Sequence, residues 1–334
     1  MGANLRDRPL SSSDADRSAL VGRDHVLRAI LRAVDFGLNT LVVGSPGAGR
    51  TSVLRAVEHD LRVSGSSVPI YINAEGMEEP DALVAAVAWA MGKPILEHLP
   101  SPAGAAFSAF ASSTRQLGRP PGFVENLREL VHQAEMGFVL LIDGLTASPL
   151  AATLFGRLRD EVLALPLTWV VAVRDADEGT ILRPPADTFF ARVIRLGPLT
   201  PEDAYSLAAA RAGESLPPGL LAEVVQRTQL QPRSVIRLLQ GLVFDGVNPS
   251  EALATADERR TRLAPLSAAA QRLYALLDSR GPASASDPVL QTELGLTRGR
   301  VTNLLHDLEK AGLVVASEVR TGPGRPRKAY RVLT

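Results

Sequence analysis

The stretch Gly44-Ser45-Pro46-Gly47-Ala48-Gly49-Arg50-Thr51 decides how this chain folds. It follows a short apolar run, Thr40–Val43, and precedes a pattern of helical period from Arg50 to Val63. Glycines let backbone N–H groups approach an anion where a Cβ would clash or where φ must be positive. The following helix directs its unpaired N–H groups and the positive end of its dipole at the same anion. The arrangement predicts a phosphate site between a strand and a helix.

The spacing matches the P-loop pattern G-x-x-x-x-G-K-[ST] with one departure, because Arg50 stands at the lysine position. Thr51 is placed to ligate Mg²⁺, and residue 50 should reach the outer phosphates. Arginine keeps the positive charge, but its planar fork cannot occupy the same point between two phosphates as an ammonium. The chain has 33 Arg and 3 Lys, so Arg50 either slows turnover or reflects composition with activity retained. The nucleotide-binding residues predicted here are Gly44, Ser45, Pro46, Gly47, Ala48, Gly49, Arg50, Thr51 and Ser52.

A second part of the site is expected at Asp143, which ends the continuous apolar run Phe138–Asp143. Such runs are typical of a central strand buried on both faces of a parallel sheet. Asp143 is expected to act in catalysis and to hold Mg²⁺ beside Thr51, although an Asp that merely ends a strand is the alternative. Gly144 follows, where many P-loop ATPases have a second carboxylate that orients the attacking water. We therefore expect ATP and Mg²⁺ to bind, with slow or no hydrolysis.

Strands alternate with helices up to residue 198, which predicts an α/β fold of P-loop type with a parallel sheet. The core is expected to include one helix over 149–164, and the segment 93–121, rich in Pro, Gly, Ser and Ala, is expected to be an insertion or flexible loop. Beyond residue 198 the pattern is helical, and it ends in three helices and two strands. The predicted domains are a flexible N-terminal arm (1–18), a nucleotide-binding core (19–198), a helical lid (199–262) and a winged-helix DNA-binding domain (263–334).

Val21-Gly22-Arg23-Asp24, ahead of the glycine loop, resembles a box found in AAA+ initiator ATPases of the origin-recognition and Cdc6 group and in STAND signalling ATPases. In those families the box lies near the adenine, so the resemblance implies nucleotide contacts from Val21, Gly22 and Arg23. Gln231-Pro232-Arg233 resembles their sensor-2 element. The resemblance implies that Arg233 touches the outer phosphates, acts in catalysis and reports the nucleotide state to the lid. Arg174 stands where the first sensor of the family would lie.

The C-terminal end predicts contact with a polyanion. Residues 298–334 contain eight Arg or Lys and three Asp or Glu, a net charge of +5 in a chain whose formal net charge is 0. One helix in this segment has an apolar stripe. Its opposite face carries small, amide and basic side chains, which suit contact with the major groove of DNA. The hairpin tip 322–328 resembles bacterial winged-helix wings and the AT-hook core, although a winged helix that binds protein is the alternative. The predicted DNA-binding residues are Arg298, Arg300, Thr302, Asn303, His306, Arg325, Arg327 and Lys328.

Composition limits the remaining choices. The chain has no cysteine, which excludes disulfides and thiolate metal sites. Its longest apolar stretch, Ala82–Met91, is too short to span a bilayer, and the N-terminus lacks a signal-peptide core, so we expect a cytoplasmic protein without a membrane partner. The leading hypothesis is a nucleotide-switched protein that binds double-stranded DNA, with a homo-oligomer allowed. The alternatives are a STAND-type switch that oligomerises on ATP and whose winged helix contacts protein, and an ordinary motor ATPase.

Overall fold

The computed structural model describes residues 4–80, 82–83, 85–87, 89–90, 128, 137–228, 230–243, 258–259, 261–319 and 327–333. The chain divides into two compact units, one formed by Arg8–Gly197 and the other by Met1–Asp7 with Pro198–Thr334. The insertion predicted at 93–121 lies outside the described residues. Within the described ranges, no helix combines the length and the apolar character needed to cross a membrane.

A parallel sheet forms the centre of the first unit, and five strands belong to it in the described part of the chain. The strands are β1 (Thr40–Gly44), β2 (Val68–Asn73), β3 (Phe138–Asp143), β4 (Leu167–Arg174) and β5 (Arg192–Leu196). Their order is β2-β3-β4-β1-β5, which confirms the predicted α/β class with a parallel sheet. Because these strands are parallel, the glycine loop after β1 and Asp143 at the end of β3 lie at the same carboxyl edge of the sheet, with β4 between them.

Strand β3 is buried on both faces. Leu140 and Ile142 belong to a hydrophobic cluster with Trp169. Val139 and Leu141 belong to a second cluster, together with apolar residues of α2 (Asp24–Asp35) and α3 (Arg50–Ser64). A strand with this environment has no solvent-facing positions, which is why its sequence is apolar throughout. Burying one such side chain contributes about 1.5–3 kcal/mol, so the strand that ends in Asp143 is firmly positioned.

The continuous helix predicted for 149–164 is wrong. The structure has α4 (Pro149–Ala152), a π-helical turn (Thr153–Arg157) and α5 (Arg159–Leu163). Phe155, in the π-helical turn, packs with its ring centroid 4.7 Å from that of Phe189 and 6.2 Å from that of Trp169. We attribute the irregular backbone to this aromatic packing, which helical periodicity cannot reveal. A short helix, α6 (Asp175–Ile181), follows β4 and was not predicted.

Residues 8–18 differ from the loose arm that was predicted. Asp16 accepts hydrogen bonds of 2.7 and 3.0 Å from Arg8, and the pKa of this carboxyl is held well below its usual range by Arg8 and then by Ser11. Leu10 is buried, and the helix α1 (Asp14–Ser18) follows it. Arg17 pairs with Asp60 of α3 at 2.8 Å. The polar composition suggested disorder because sequence alone does not show that these polar groups bind one another.

The second unit is helical and ends in a hairpin. Its helices are α7 (Pro201–Ala212), α8 (Pro218–Arg227), α9 (Pro232–Val243), α10 (Ala268–Arg280), α11 (Pro288–Leu294) and α12 (Arg298–Lys310). Thr200 caps α7 by accepting a hydrogen bond from the backbone N–H of Asp203 at 3.0 Å, and Pro201 takes the first position, where its missing N–H costs nothing. Strands β6 (Val314–Val319) and β7 (Arg327–Val332) pair antiparallel. The assignment of α10 to β7 as a winged helix stays a prediction.

Candidate functional site

The glycine loop joins β1 to α3 in the conformation that its glycines require. Gly47 has φ of 87° and Gly49 has φ of 93°, values that favour glycine. A Cβ on Gly44 would lie 3.2 to 3.3 Å from side-chain atoms of three neighbours, Leu196, Ala48 and Arg50. Gly49 precedes α3 without a side-chain cap, so the first-turn amides of α3 can bind an anion.

Thr51 and Asp143 meet at the carboxyl edge of the sheet. The Thr51 hydroxyl donates a hydrogen bond of 2.6 Å to Oδ2 of Asp143, and the Tyr71 hydroxyl donates a second one of 2.9 Å to the same oxygen. Asp143 is buried. Both donors engage one carboxylate oxygen, so Oδ1 of Asp143 remains for a further ligand. A hydroxyl and a carboxylate oxygen form the kind of donor set that suits Mg²⁺.

Tyr71 is a contributor to this site that the sequence analysis missed. Burial, and then the negative charge of Asp143, raise the pKa of the Tyr71 phenol, which therefore stays protonated and donates. The Arg55 guanidinium lies 3.3 Å from the centroid of the Tyr71 ring. Arg55 also pairs with the buried carboxylate of Glu58 at 2.8 Å, which anchors it on α3. Only the fold brings Tyr71 to Asp143, because nothing in its local sequence marks it as a site residue.

Arg50 is largely buried beside the loop. Its Nη1 has no hydrogen-bond partner among the described residues. Burial is the main cause that lowers the pKa of Arg50, and Asp143 opposes this shift. Arg174, the last residue of β4 and the register neighbour of Gly44, lowers it further, while two carboxylates at the start of α6 raise it, Asp175 and Asp177. A buried guanidinium with an unused donor next to a glycine loop is suited to a bound anion.

The turn after β3 has little space for a second carboxylate. Gly144 has φ of 72°, so any other residue would be strained there. A Cβ on Gly144 would lie 3.2 Å from Oδ1 of Asn73 and 3.4 Å from Cβ of Glu75. Asn73 Oδ1 is itself held in place, since it accepts a hydrogen bond of 3.0 Å from the backbone N–H of Glu75. The conformation of this turn therefore favours glycine at position 144.

Arg23 contacts the backbone of the glycine loop. Its Nη2 donates hydrogen bonds of 3.1 Å to the carbonyl of Ala48 and 2.8 Å to the carbonyl of Gly197. The side chain is buried and connects the loop with the end of β5. The two preceding residues of the box, Val21 and Gly22, are half-buried, and Gly22 has φ of 71°. The observed contacts make Arg23 a support of the loop.

The predicted contact at Ser52 has a partner inside the chain. The Ser52 hydroxyl accepts a hydrogen bond of 3.1 Å from the backbone N–H of Leu10. Ser45 and Pro46 are half-buried in the loop. Arg233 belongs to the other unit, where its Nε lies 3.4 Å from a carboxylate oxygen of Asp7. Asp7 was not anticipated either, because it lies in the segment predicted to be loose.

Of the predicted DNA-binding residues of α12, Asn303 and His306 lie opposite the buried stripe, and Arg298, Arg300 and Thr302 flank them. Arg298, Arg300, Asn303 and His306 are exposed, and Thr302 is half-buried. The opposite stripe is buried as predicted, with Val301, Leu304, Leu305 and Leu308. No ion pair involves Arg298 or Arg300 in the described part of the chain. Lys328 is exposed on β7, Arg327 is the first residue of that strand, and Arg325 lies outside the described residues.

The sheet order, the glycine loop and the carboxylate at the end of β3 define the class: the chain has the fold of P-loop nucleoside triphosphatases of AAA+ type. It is similar to the ORC1 protein of Aeropyrum pernix in complex with DNA, at 18% identity and a TM-score of 0.52, over 94% of this chain and 89% of that one. The ORC2 protein of Aeropyrum pernix, in ADPNP–ADP complexes, has 14% identity and a TM-score of 0.51, over 98% and 92%.

Cdc6p of Pyrobaculum aerophilum has 15% identity and a TM-score of 0.51, over 93% of this chain and 89% of that one. No family model and no curated protein sequence matches the chain. At such identities the similarity shows the fold. It confirms the resemblance to the origin-recognition and Cdc6 group that the sequence motifs predicted.

Proposed function

We propose that this chain binds ATP with Mg²⁺ at the glycine loop, hydrolyses it slowly or not at all, and uses the bound nucleotide to switch DNA binding by its C-terminal helices. The observation that carries the proposal is the 2.6 Å hydrogen bond between Thr51 and Asp143 beside the glycine loop. The bond supports a metal site next to a phosphate site, which is the arrangement that a nucleoside triphosphate with Mg²⁺ needs.

The loop supplies the anion site. Its glycines allow backbone N–H groups to surround a phosphate, and the start of α3 contributes its dipole. The Arg50 guanidinium, buried and with Nη1 unpartnered among the described residues, is available for the outer phosphates. A bound phosphate would offset the burial that lowers the pKa of Arg50.

The residues present fit Mg²⁺. Thr51 and Asp143 would hold the ion, which supplies charge neutralisation for the phosphates when bound. No cluster of three or more His, Cys, Asp or Glu suited to a metal occurs among the described residues. Mg²⁺ does not need such a cluster, because in nucleotide sites it takes most of its ligands from waters and phosphate oxygens.

The same site is poorly equipped for rapid hydrolysis. Position 144, where a water-orienting carboxylate would be useful, has a left-handed glycine with Asn73 and Glu75 close by. Arg50 carries charge but has a bulkier, planar head than lysine. Both features support slow turnover and favour a nucleotide sensor over a motor.

DNA binding is proposed for α12 and the hairpin. The exposed guanidinium groups of Arg298 and Arg300, which form no ion pair within the described ranges, suit phosphates. Asn303 and His306, which lie between them around the helix, suit base edges. Arg325, Arg327 and Lys328 would add contacts from a wing in the minor groove or along the backbone. Arg233 would contact the terminal phosphate and pass the nucleotide state to the second unit.

Titration of the full chain with ATP and ADP, with and without duplex DNA, tests the proposal. We expect ATP to change DNA affinity by a factor of about 5 or more, and DNA to change ATP affinity by the same factor. The double variant Arg298→Ala with Arg300→Ala should weaken DNA binding and reduce its salt dependence. The matched control is Arg28→Ala with Arg32→Ala, which removes the same charge from exposed positions of α2.

Independent binding of ATP and DNA would contradict the switch. Unchanged DNA affinity in the α12 double variant, and in Arg325→Ala with Arg327→Ala, would contradict DNA binding by this surface. ATP-dependent self-association together with unchanged DNA affinity would favour the signalling alternative.

A further inference from the structure

A groove of about 740 Å³ lies between helix α2 and strand β5 in the first unit. Arg23, just before α2, donates its hydrogen bond to the carbonyl of Gly197 after β5. The backbone N–H of Arg192, at the start of β5, donates one of 3.2 Å to the carbonyl of Asn39, which follows α2. The helix therefore runs antiparallel to the strand, so a chain segment placed beside β5 in the groove also passes along α2.

Apolar side chains line the groove from both elements. Ile194 of β5 is half-buried and packs against the hydrophobic cluster that includes α2. Leu38 is half-buried, and Phe36, directly after α2, is 69% exposed, so its ring is left for a ligand to cover. Phe36 and Leu38 lie at the amino edge of the sheet, just before β1. The groove is therefore separate from the glycine loop at the carboxyl edge.

Three arginines surround this apolar surface, and no carboxylate lines it. Arg28 and Arg32 belong to α2, and Arg192 is the first residue of β5. All three are exposed, and none forms an ion pair in the part of the chain that the structure describes. Arg195, on the same strand but outside the groove, pairs with Glu178. A groove with three such positive charges attracts an anionic ligand.

The outer edge of β5 is open to a further strand. Strand β5 is the last one on its side of the sheet, and no described strand pairs with its outer edge. Because the N–H of Arg192 points to β1, the N–H and C=O of the next residue, Val193, point to the outer edge. An extended peptide can bind such an edge by main-chain hydrogen bonds.

The spacing of side chains on α2 matches an extended peptide. Arg28, Arg32 and Phe36 follow one another at intervals of four residues, which is about 6 Å along a helix. Alternate residues of a strand, which share one face, are about 6.6 Å apart. A strand with two carboxylates and then an apolar side chain at alternate positions would therefore meet Arg28, Arg32 and Phe36 in turn.

We propose that this groove binds an extended acidic segment of a partner protein, which adds a strand to β5 and places its carboxylates against Arg28, Arg32 and Arg192. The strand edge supplies backbone hydrogen bonds, and the arginines select the charge of the ligand. A second copy of β5 is a poor occupant, because its own arginines would repel those of the groove. Duplex DNA gains little from a free strand edge or an exposed aromatic ring, whereas a peptide uses both.

Fluorescence polarisation of the full chain with the labelled peptide Leu-Thr-Glu-Thr-Glu-Thr-Leu tests the inference. The peptide reads the same in both directions and so suits either orientation of an added strand. Arg28→Ala with Arg32→Ala should weaken its binding about tenfold, because two charge pairs are lost. Phe36→Ala should weaken it about threefold, because an apolar contact is lost. Neither the peptide with Lys in place of Glu nor the acidic peptide with all amides N-methylated should bind.

Arg298→Ala with Arg300→Ala is the matched control, because it removes the same charge from exposed positions of α12. It should leave peptide affinity unchanged. Equal loss of peptide affinity in the two double variants would indicate non-specific attraction and overturn the inference, as would no binding of the acidic peptide or equal binding of its N-methylated form. Weaker binding of duplex DNA by the α2 double variant, with unchanged peptide affinity, would assign the groove to nucleic acid and also overturn it.

Discussion

Two turns at the carboxyl edge of the sheet have opposite characters. The loop after β1 has left-handed glycines, an uncapped helix start and a buried guanidinium, all of which favour an anion. The turn after β3 contributes Asp143, the proposed metal ligand, but its next residue is a left-handed glycine on which a Cβ would lie only 3.2 and 3.4 Å from its neighbours. The comparison teaches that nucleotide binding and nucleotide turnover have separate structural requirements. Under the proposed function, the described residues supply groups suited to binding, and position 144 supplies no carboxylate for turnover.

Gly144→Glu tests the second turn, and we expect the largest effect here. The substitution adds both left-handed strain and contacts with Asn73 and Glu75, so it should lower the free energy of unfolding by about 2 kcal/mol and fail to raise ATP turnover. Chemical denaturation and a phosphate-release assay measure the two quantities. The control is Gly76→Glu, which has φ of 77° but no neighbour within 4 Å of its Cβ and should cost less. Unchanged stability together with faster ATP turnover in Gly144→Glu would contradict the proposed difference between the two turns.

Gly49→Ala tests the first turn. At φ of 93°, alanine should cost about 1 to 1.5 kcal/mol of stability and should also weaken ATP binding, because the amides of the loop must move. Gly65→Ala is the matched control, since Gly65 caps the other end of α3 at φ of 65° with open space around its Cβ. It should lose similar stability with ATP affinity unchanged. Equal ATP affinity in both variants would show that the loop does not hold phosphate.

Sequence patterns predicted the parts of this site that depend on local chemistry. Strand β3 spans the predicted run Phe138–Asp143, because a parallel strand buried on both faces needs a continuous apolar sequence. The glycine loop and Asp143 were predicted because their backbone requirements leave a spaced signature. Tyr71 and Asp7 could not be predicted, since their roles arise from partners 72 and 226 or more positions away. The π-helical turn around Phe155 was missed for the same reason, because tertiary packing of aromatic rings decides it.

Tyr71→Phe tests the hydrogen bond between Tyr71 and Asp143 beside the proposed metal site. Loss of the hydroxyl removes one hydrogen bond to Asp143 and should cost about 1 kcal/mol of stability. It should also lower the Mg²⁺ concentration at which ATP binding is half-maximal, because Asp143 loses a competing donor. Tyr205→Phe, on α7, is the control and should change neither quantity. A higher Mg²⁺ requirement in Tyr71→Phe would mean that the phenol positions Asp143 for the metal instead of competing with it.

His59→Gln tests the ion pairs in the C-terminal half of α3, and we expect the smallest effect here. Hydrogen bonds to Asp14 and then Asp60 raise the pKa of His59 in the folded protein. The resulting stability is fully present below the unfolded pKa of about 6.5 and is lost as the pH rises through the folded value. The variant should therefore lose about 0.5 kcal/mol relative to wild type at pH 5.5 and less at pH 9, with His25→Gln as the control. A larger loss at pH 9 would contradict this assignment.

The rate of ATP turnover by the wild-type chain and by Arg50→Lys tests the central claim most directly. We measure phosphate release from saturating ATP with Mg²⁺, with and without duplex DNA, after binding has been established by titration. The account predicts tight ATP binding with wild-type turnover well below ~1 s⁻¹, the lower end of ordinary enzymes, and still slow turnover in Arg50→Lys because Gly144 is unchanged. Wild-type turnover at ordinary enzymatic rates, lost on Asp143→Ala, would contradict it and identify a motor ATPase.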